Sequence, residues 1–364
     1  MPDQRGIWVR ARPCDSRLFA QGAPESRPES GTIGRMPDVA ARVLAPETRK
    51  VLSDSPTNSL ASSDSDGQVG AALLESPQLA TDQDLPARTP KQKSLSPSRA
   101  NDFQQCPLLF RFKTIDRMPE PHSAAAKRGS LVHAVLERLF DAPRGSRTPE
   151  LATSLVPGEW AKMLAEDETL VALFADDGDA AGVSEETWIA HASKLLSTYF
   201  KLENPNSFEP AHRESWIRHE LDNGLMLRGI IDRLDIAPDG QIRVVDYKTG
   251  KSPRPGYEDK VLFQMQFYAL AIWREHGRVP TLLQLLYLGD GQVLHTVPTE
   301  TQLENVESHI RALWATIERY AENGMFPPRK SKLCGWCSFQ TSCPIFGSTP
   351  PPFDEELARY RLGL

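Results

Sequence analysis

The stretch RGIIDRLDIAPDGQIRVVDYKTGK, residues 228–251, concentrates side chains that could do chemistry. Pro238-Asp239-Gly240 marks a turn between two strand-like runs. Side chains alternate along a strand, so Ile242, Val244, Asp246 and Lys248 share one face. Ile230, Asp232, Leu234 and Ile236 form the matching set in the run before it. A hairpin centred on Asp239 sets Ile236 against Ile242 and Leu234 against Val244, and so places Asp232 opposite Asp246. A slip of one residue would turn the apolar set to the wrong side. Directly opposed residues have β-carbons about 5 Å apart. Two carboxylates that close repel each other, and a hard divalent cation such as Mg²⁺ relieves the repulsion. Lys248 adds an ammonium on the same side, suited to the charge that builds on a phosphate under attack. Arg233 and Asp235 fall on the opposite face and read as structural.

Three further groups stand out. In RGSLVHAVLE, His133 and Glu137 lie one turn apart on a helix. Glu137 suits either a supporting role beside His133 or an ordinary exposed acid. In QMQFYALA, Gln264 and Tyr268 are one turn apart; that spacing equally suits a Tyr268 packed in the core beside Val261, Met265 and Ile272. Cys334, Cys337 and Cys343 form a C-x2-C-x5-C group, and Cys106 stands far upstream in FQQCPLLFRFK. Three clustered cysteines and one distant one can make a four-thiolate site. Zinc and a 4Fe–4S cluster both accept it, and spacing alone does not choose. Cys14 reads as incidental. Five cysteines in 364 residues are too few for a disulfide scaffold. Their grouping points to a metal site in a reducing compartment, the cytoplasm.

The elements that must position these residues begin near Leu95. Residues 1–94 are rich in Ser, Pro, Asp, Gly and Ala, with no aromatic residue between Phe19 and Phe103. Such a segment buries too little apolar surface to order itself, and it reads as a disordered tail. Residues 95–346 read as one domain and 347–364 as a C-terminal tail. Ser96-Pro97-Ser98 opens a helix holding Phe103 and Cys106. Helices are expected over 127–141, 157–174 and 184–202. Strands are expected over 213–220, 225–236 and 241–248, with Asn223-Gly224 as the first turn. A helix over 258–276 and strands near 282–288 and 291–297 follow. The last long helix starts at Thr299, with Gln302 placed for a capping box. This order predicts a mixed α/β core rather than a doubly wound parallel sheet. The net charge of -6 excludes a globally basic nucleic-acid binder, so any DNA site is local. No apolar run reaches about 18 residues, which excludes a membrane-spanning helix.

GIIDRLD followed by VVDYKTGK resembles the paired motifs of RecB-type nucleases of the PD-(D/E)XK superfamily. The resemblance implies a restriction-endonuclease-like mixed-sheet core with a helical N-terminal part. It implies Asp232 and Asp246 as ligands of Mg²⁺ or Mn²⁺, and Lys248 as catalytic. Gly129 and His133 match the family's Gly-x-x-x-His motif, which implies His133 in the metal shell. Gln264 and Tyr268 match its Gln-x-x-x-Tyr motif, which implies contact with DNA. The split of one early and three late cysteines resembles AddB-type and CRISPR-associated adaptation nucleases. It implies a 4Fe–4S cluster in the C-terminal region, held by Cys106, Cys334, Cys337 and Cys343 and stapling both ends of the domain. The pattern G-x-x-x-x-G-K-[ST] is absent, so the domain stands without a helicase motor of its own. The activity implied is a metal-dependent exonuclease on single-stranded DNA ends, in repair or recombination, with a helicase as partner. Two alternatives are a DNA-end processing nuclease of the CRISPR-adaptation kind and a non-catalytic DNA-binding or scaffold subunit. Asp232, Asp246 and Lys248 together favour the enzyme.

Overall fold

The computed structural model of the protein describes Val9–Ala11 and residues 91–364. The expected disordered tail falls largely outside these residues. Within it, Val9–Ala11 forms β1, and Ser94–Leu95, at its boundary with the domain, forms β2.

Pro107 shapes the first helical stretch. Helix α1 (Pro97–Gln105) starts on Ser96, whose hydroxyl accepts from the Arg99 amide, and ends at Cys106, extended at φ -162° and ψ 113°. The ring of a proline drives the residue before it away from helical backbone. Cys106 therefore sits in a break, not inside the helix expected from sequence. The chain restarts as α2 (Pro107–Phe110) and widens into a π-helical turn over Arg111–Asp116.

Three helices follow: α3 (Ala124–Leu139), α4 (Pro149–Glu166) and α5 (Glu185–Leu202). α4 starts eight residues before Pro157, where the sequence suggested its beginning. Thr148 caps it by accepting from the Leu151 amide, and Pro149 sits at its first position, where a missing N–H costs nothing. Pro157 lies inside the helix on its exposed side, while Ala152, Val156 and Trp160 are buried. That burial offsets the hydrogen bond the proline cannot make. Residues Glu168–Phe174, expected as helix, form a separate 3-10 segment.

Among the described residues the sheet has seven strands: β1, β2, β3 (His212–Glu220), β4 (Met226–Ile236), β5 (Ile242–Lys248), β6 (Leu282–Tyr287) and β7 (Gln292–Thr296). Their order is β1-β7-β6-β5-β4-β2, with β3 also on β4. β5 and β6 run parallel, as do β2 and β4, while the remaining pairs are antiparallel. The sheet is thus mixed, as expected. β3 lines one edge of β4 from residue 226 to 234. β5 and β2 share the other edge, pairing with residues 233–236 and 226–227. Residues 228–232 lie between those two neighbours.

Alternation along β5 assigns the helices to opposite faces. Val245 and Tyr247 join Leu286 and Val293 in the core built with α3, α4 and α5. Asp246 and Lys248 turn the other way, to Gln264 of α6 (Asp259–His276). The long α7 (Glu300–Glu322) starts on the expected capping box of Thr299 and Gln302. Residues 347–364, read from sequence as a tail, carry α8 (Glu355–Leu362) and pack on the domain. Ala358 and Leu362 are buried, Phe353 stacks near Phe326, and Arg111 donates to the Pro351 and Pro352 carbonyls at 2.5 and 3.1 Å. Its apolar positions are too few to be read as a core-facing helix without the surface they meet.

A charged cluster is buried beneath the sheet on the α5 side. The Arg233 guanidinium donates to both Glu203 oxygens at 2.7 Å, and Asp235 accepts from the Arg243 Nε at 2.8 Å. Burial opposes the Glu203 charge, but the two guanidiniums hold its carboxyl below the usual value. Arg233 also donates to the Tyr247 hydroxyl at 2.8 Å, which fixes the side chain whose backbone lies at the site described next.

Candidate metal centre

The β4/β5 ladder runs in the register that the apolar pairing requires, with Leu234 on Val244 and Ile236 on Ile242. It ends at Arg233 and Val245. One step further, Asp232 turns its Oδ2 to accept the Tyr247 N–H at 2.7 Å. Asp246 is buried; its Oδ1 accepts from Gln264 Nε2 at 2.9 Å and its Oδ2 lies 2.8 Å from Lys248 Nζ. Lys248 also donates to Gln264 Oε1 at 3.0 Å. Gln264 thus clamps both ends of the Asp-x-Lys element. Its Nε2 lies 3.2 Å from the Tyr268 hydroxyl. The Tyr268 ring is buried over Gly229, where a Cβ would meet the ring at 2.6 Å. Gln264 and Tyr268 therefore face inward, and Tyr268 offers no open ring for a base. Glu137 lines the mouth of the cleft.

His133 reaches the same place from α3. Its Nε2 lies 3.0 Å from the Tyr247 carbonyl oxygen, and its Nδ1 lies 3.5 Å from both Asp232 Oδ2 and Glu214 Oε1. Glu214 is a residue that the sequence reading missed. Its φ of 42° is left-handed, a rare conformation for a side-chain-bearing residue, of the kind that collects at functional sites. The kink breaks the alternation of β3. Arg213 before it reaches Asp141 beside α3, whereas His219 after it reaches Glu275 of α6. Two odd-numbered residues thus face opposite sides of the sheet, and Glu214 joins Arg213 on the α3 side. A signal for it existed. Centring the β3/β4 hairpin on Asn223 brackets Glu214 opposite Asp232, between the pairs Arg213–Arg233 and Ser215–Ile231.

The charges of the cluster act strongly on one another. Burial works against a charged His133, yet its contacts with Asp232 and Glu214 outweigh this and push its pKa up to about 10. Burial, then the Asp232 charge, pushes Asp246 up to about 6, against the pull of Lys248. One ligand atom each from His133, Glu214 and Asp232 lies within 4.8 Å of the others. This N/O donor set fits a hard or borderline divalent ion. Asp246 stands beside the three with its oxygens turned toward Lys248 and Gln264. The site opens on a cleft of about 790 Å³ lined by Gly129, Ser130, Lys248, Thr249 and Lys251 among others.

The four remaining cysteines of interest meet elsewhere. Cys106, Cys334, Cys337 and Cys343 are free thiols that line one hollow with Leu108, Phe112, Phe339 and Ile345. The Arg329 and Ser331 amides donate to Cys106 and Cys334 sulfurs at 3.4 and 3.3 Å. Burial pushes the Cys337 thiol up, and its three cysteine neighbours add to this. Four thiols around an apolar hollow, with amides aimed at sulfur, fit a thiophilic metal group. Cys14 lies outside the described residues.

The chain is 24% identical over 268 residues to the Gene 69 protein of Mycobacterium phage D29, covering 69% of this chain and 96% of that protein. It is 29% identical over 130 residues to the Gene 69 protein of Mycobacterium phage L5, covering 35% and 42%. A solved structure, "Crystal structure of SSO0001", aligns with 70% of this chain and 87% of that one at 12% identity and a TM-score of 0.31. The description "PD-(D/E)XK nuclease superfamily" matches residues 94–344, a span that holds β2 to β7 of the mixed sheet, the Asp-x-Lys strand and the histidine helix. By that match over most of its length, the chain belongs to the PD-(D/E)XK nuclease superfamily.

Proposed function

We propose that the protein is a divalent-metal-dependent deoxyribonuclease that hydrolyses phosphodiester bonds at single-stranded DNA ends. The observation that carries this reading is the convergence of His133, Glu214, Asp232, Asp246 and Lys248 at one cleft. Members of the superfamily are in general metal-dependent nucleases. His133, Asp232 and Asp246 would hold Mg²⁺ or Mn²⁺, with Glu214 as a further oxygen donor. The ion would supply Lewis-acid polarisation of the scissile phosphate. Lys248 donates to a phosphate oxygen and orients water for in-line attack, with its ammonium aimed by Asp246 and Gln264. Tyr268 and Gln264 are positioning residues that keep Asp246 and Lys248 in register. The buried Tyr247 holds its backbone N–H on Asp232 and its carbonyl on His133.

The four cysteines would carry a 4Fe–4S cluster. Zinc is the competing occupant. With Zn–S near 2.3 Å, a tetrahedral zinc site draws neighbouring sulfurs to about 3.8 Å. Both groups accept four thiolates, and metal and sulfide analysis of anaerobic protein separates them. The setting proposed is DNA repair or recombination in the cytoplasm, with a helicase supplying unwound ends. End-labelled single-stranded, blunt and flapped DNA, incubated with Mg²⁺ or Mn²⁺, tests the proposal. Metal-dependent loss of the labelled strand is expected. No cleavage of any substrate with either ion would favour the non-catalytic scaffold.

A further inference from the structure

The β3/β4 ribbon carries a row of side chains beyond the metal-ligating pair. Glu214 and Asp232 occupy neighbouring positions across the two strands. Two residues further along each strand, Trp216 is paired with Ile230, and two further still Arg218 is paired with Arg228. The three sets share one face, since the intervening Ile217, Leu227 and Ile231 are buried and Gly229 is covered by Tyr268. Ile230 lines the same cleft as His133 and Glu214, so the row continues the metal site rather than lying apart from it.

Within the row the Arg218 guanidinium lies 5.6 Å from the centroid of the Trp216 ring, so the two side chains form one platform. Trp216 is 53% exposed and Ile230 38% exposed, on a face that no helix covers at those positions. Arg218 and Arg228 are directly opposed like charges, an arrangement that destabilises a sheet. Among the described residues no ion pair engages either of them. Burial and then the Arg218 and Arg117 charges hold the Arg228 guanidinium below its usual value, so the repulsion is felt. In a chain of net charge -6, an arginine pair with no ion-pair partner among the described residues, at the mouth of an acidic site, is a local anion seat.

We infer that this ribbon face is a track for an unpaired polynucleotide strand: Trp216 with Ile230 receives a base, and Arg218 with Arg228 receives a phosphate. The inference rests on the nuclease reading for what happens at the metal end of the track. Same-face positions advance by about 6.7 Å, which puts the arginine pair about 13 Å from the metal-ligating pair. An extended strand covers that distance in about two nucleotides. Every base offers a π-face to an indole, so the track is indifferent to sequence. A duplex keeps its bases stacked on each other and leaves none for Trp216, which makes the track selective for single strands.

The test uses the full chain and fluorescein-labelled oligothymidylate, with a blunt duplex of equal length as comparison, followed by anisotropy in chelator so that no strand is cut. Trp216→Ala is expected to weaken single-strand binding about tenfold, while Trp216→Phe stays close to the parent. Arg218→Ala with Arg228→Ala is expected to lower the slope of log affinity against log salt by about 0.7, for the one phosphate the pair neutralises on a single strand. Equal single-strand affinity in parent, Trp216→Ala and the double arginine variant would overturn the track. So would an equal loss of duplex and single-strand binding. Hydrolysis of bis(p-nitrophenyl) phosphate by the parent is measured separately. An absence of that activity with the binding losses intact removes the catalytic reading and keeps the track. Activity with no binding losses does the reverse.

Discussion

Asp232 and Asp235 lie three residues apart and hold different partners. Asp232 meets His133 and the Tyr247 amide at the cleft, whereas Asp235 meets Arg233 and Arg243 in the buried charge cluster. Asp232→Ala and Asp246→Ala are therefore expected to abolish cleavage and Mn²⁺ binding, and Lys248→Ala to lower cleavage by roughly 10²–10³ with metal binding retained. Glu214→Ala is expected to weaken Mn²⁺ by about 10–100-fold. Asp235→Ala removes one of the two carboxylates that Arg233 and Arg243 share in the buried cluster and should cost about 3–5 kcal/mol of stability. Calorimetric titration with Mn²⁺, end-labelled cleavage and urea melts check all five; Asp235→Ala losing metal while fully folded would reverse the assignment. The pH dependence has a definite sign. A ligand must shed its proton to bind metal. With His133 near 10, metal uptake at neutral pH releases about one proton; below about 6, where Asp246 is also protonated, it releases about two. Mn²⁺ affinity should fall as pH falls, and fall more steeply below that point. Titration in buffers of different ionisation heats counts the protons, and affinity flat from pH 5 to 9 would rule this out.

At the scale of elements, the site depends on strands that stop pairing. β4 leaves β5 after Arg233, and the freed Asp232 caps the Tyr247 amide. Gly229 lies in the gap between β5 and β2, where the Tyr268 ring covers it. Gly229→Ala sets a methyl into that ring, and overpacking of this kind costs about 1–3 kcal/mol. It should also shift Gln264, so that cleavage falls more than the melting temperature alone accounts for; unchanged activity in a destabilised protein would separate Tyr268 from the site. The turns at Asn223-Gly224 and Pro238-Asp239-Gly240 were legible because glycine supplies the positive φ that each needs. The start of α4 was not, because Pro157 is a helix breaker only when its surroundings leave the broken hydrogen bond uncompensated.

At the scale of the whole molecule, segments far apart in the chain meet at the cysteines. Cys106 follows α1, and Cys334, Cys337 and Cys343 lie between α7 and α8; all four reach one hollow. Anaerobic protein is expected to hold about four irons and four sulfides, and Cys106→Ser to lose iron and stability together. Stoichiometric zinc in place of iron would reject the cluster. α8 lies beside the π-helical turn that follows Cys106, through Arg111 and Phe353. Ending the chain at Ser348 removes the burial of Leu362 and part of Phe353, at about 1.5–3 kcal/mol for a fully buried side chain of this size. The shortened protein should melt earlier and lose iron faster than the full chain; equal melting and iron retention would make α8 dispensable.

The hairpin register, the Asp-x-Lys strand and the four cysteines that line one hollow were legible in the sequence alone. Each follows from local rules: period two in a strand, turn residues, and short spacing between ligands. Tertiary structure decided what those rules do not reach. Glu214 enters the site through one left-handed residue, and no alternation pattern contains such a break. Tyr268 of α6 turns inward because Gly229 of β4 leaves room for its ring. Asp246 sides with Lys248 and Gln264 rather than with His133 because β5 presents it to α6 while α3 lies across the sheet. These are contacts between residues far apart in the chain, and only the packing of the two helical layers on one sheet selects them.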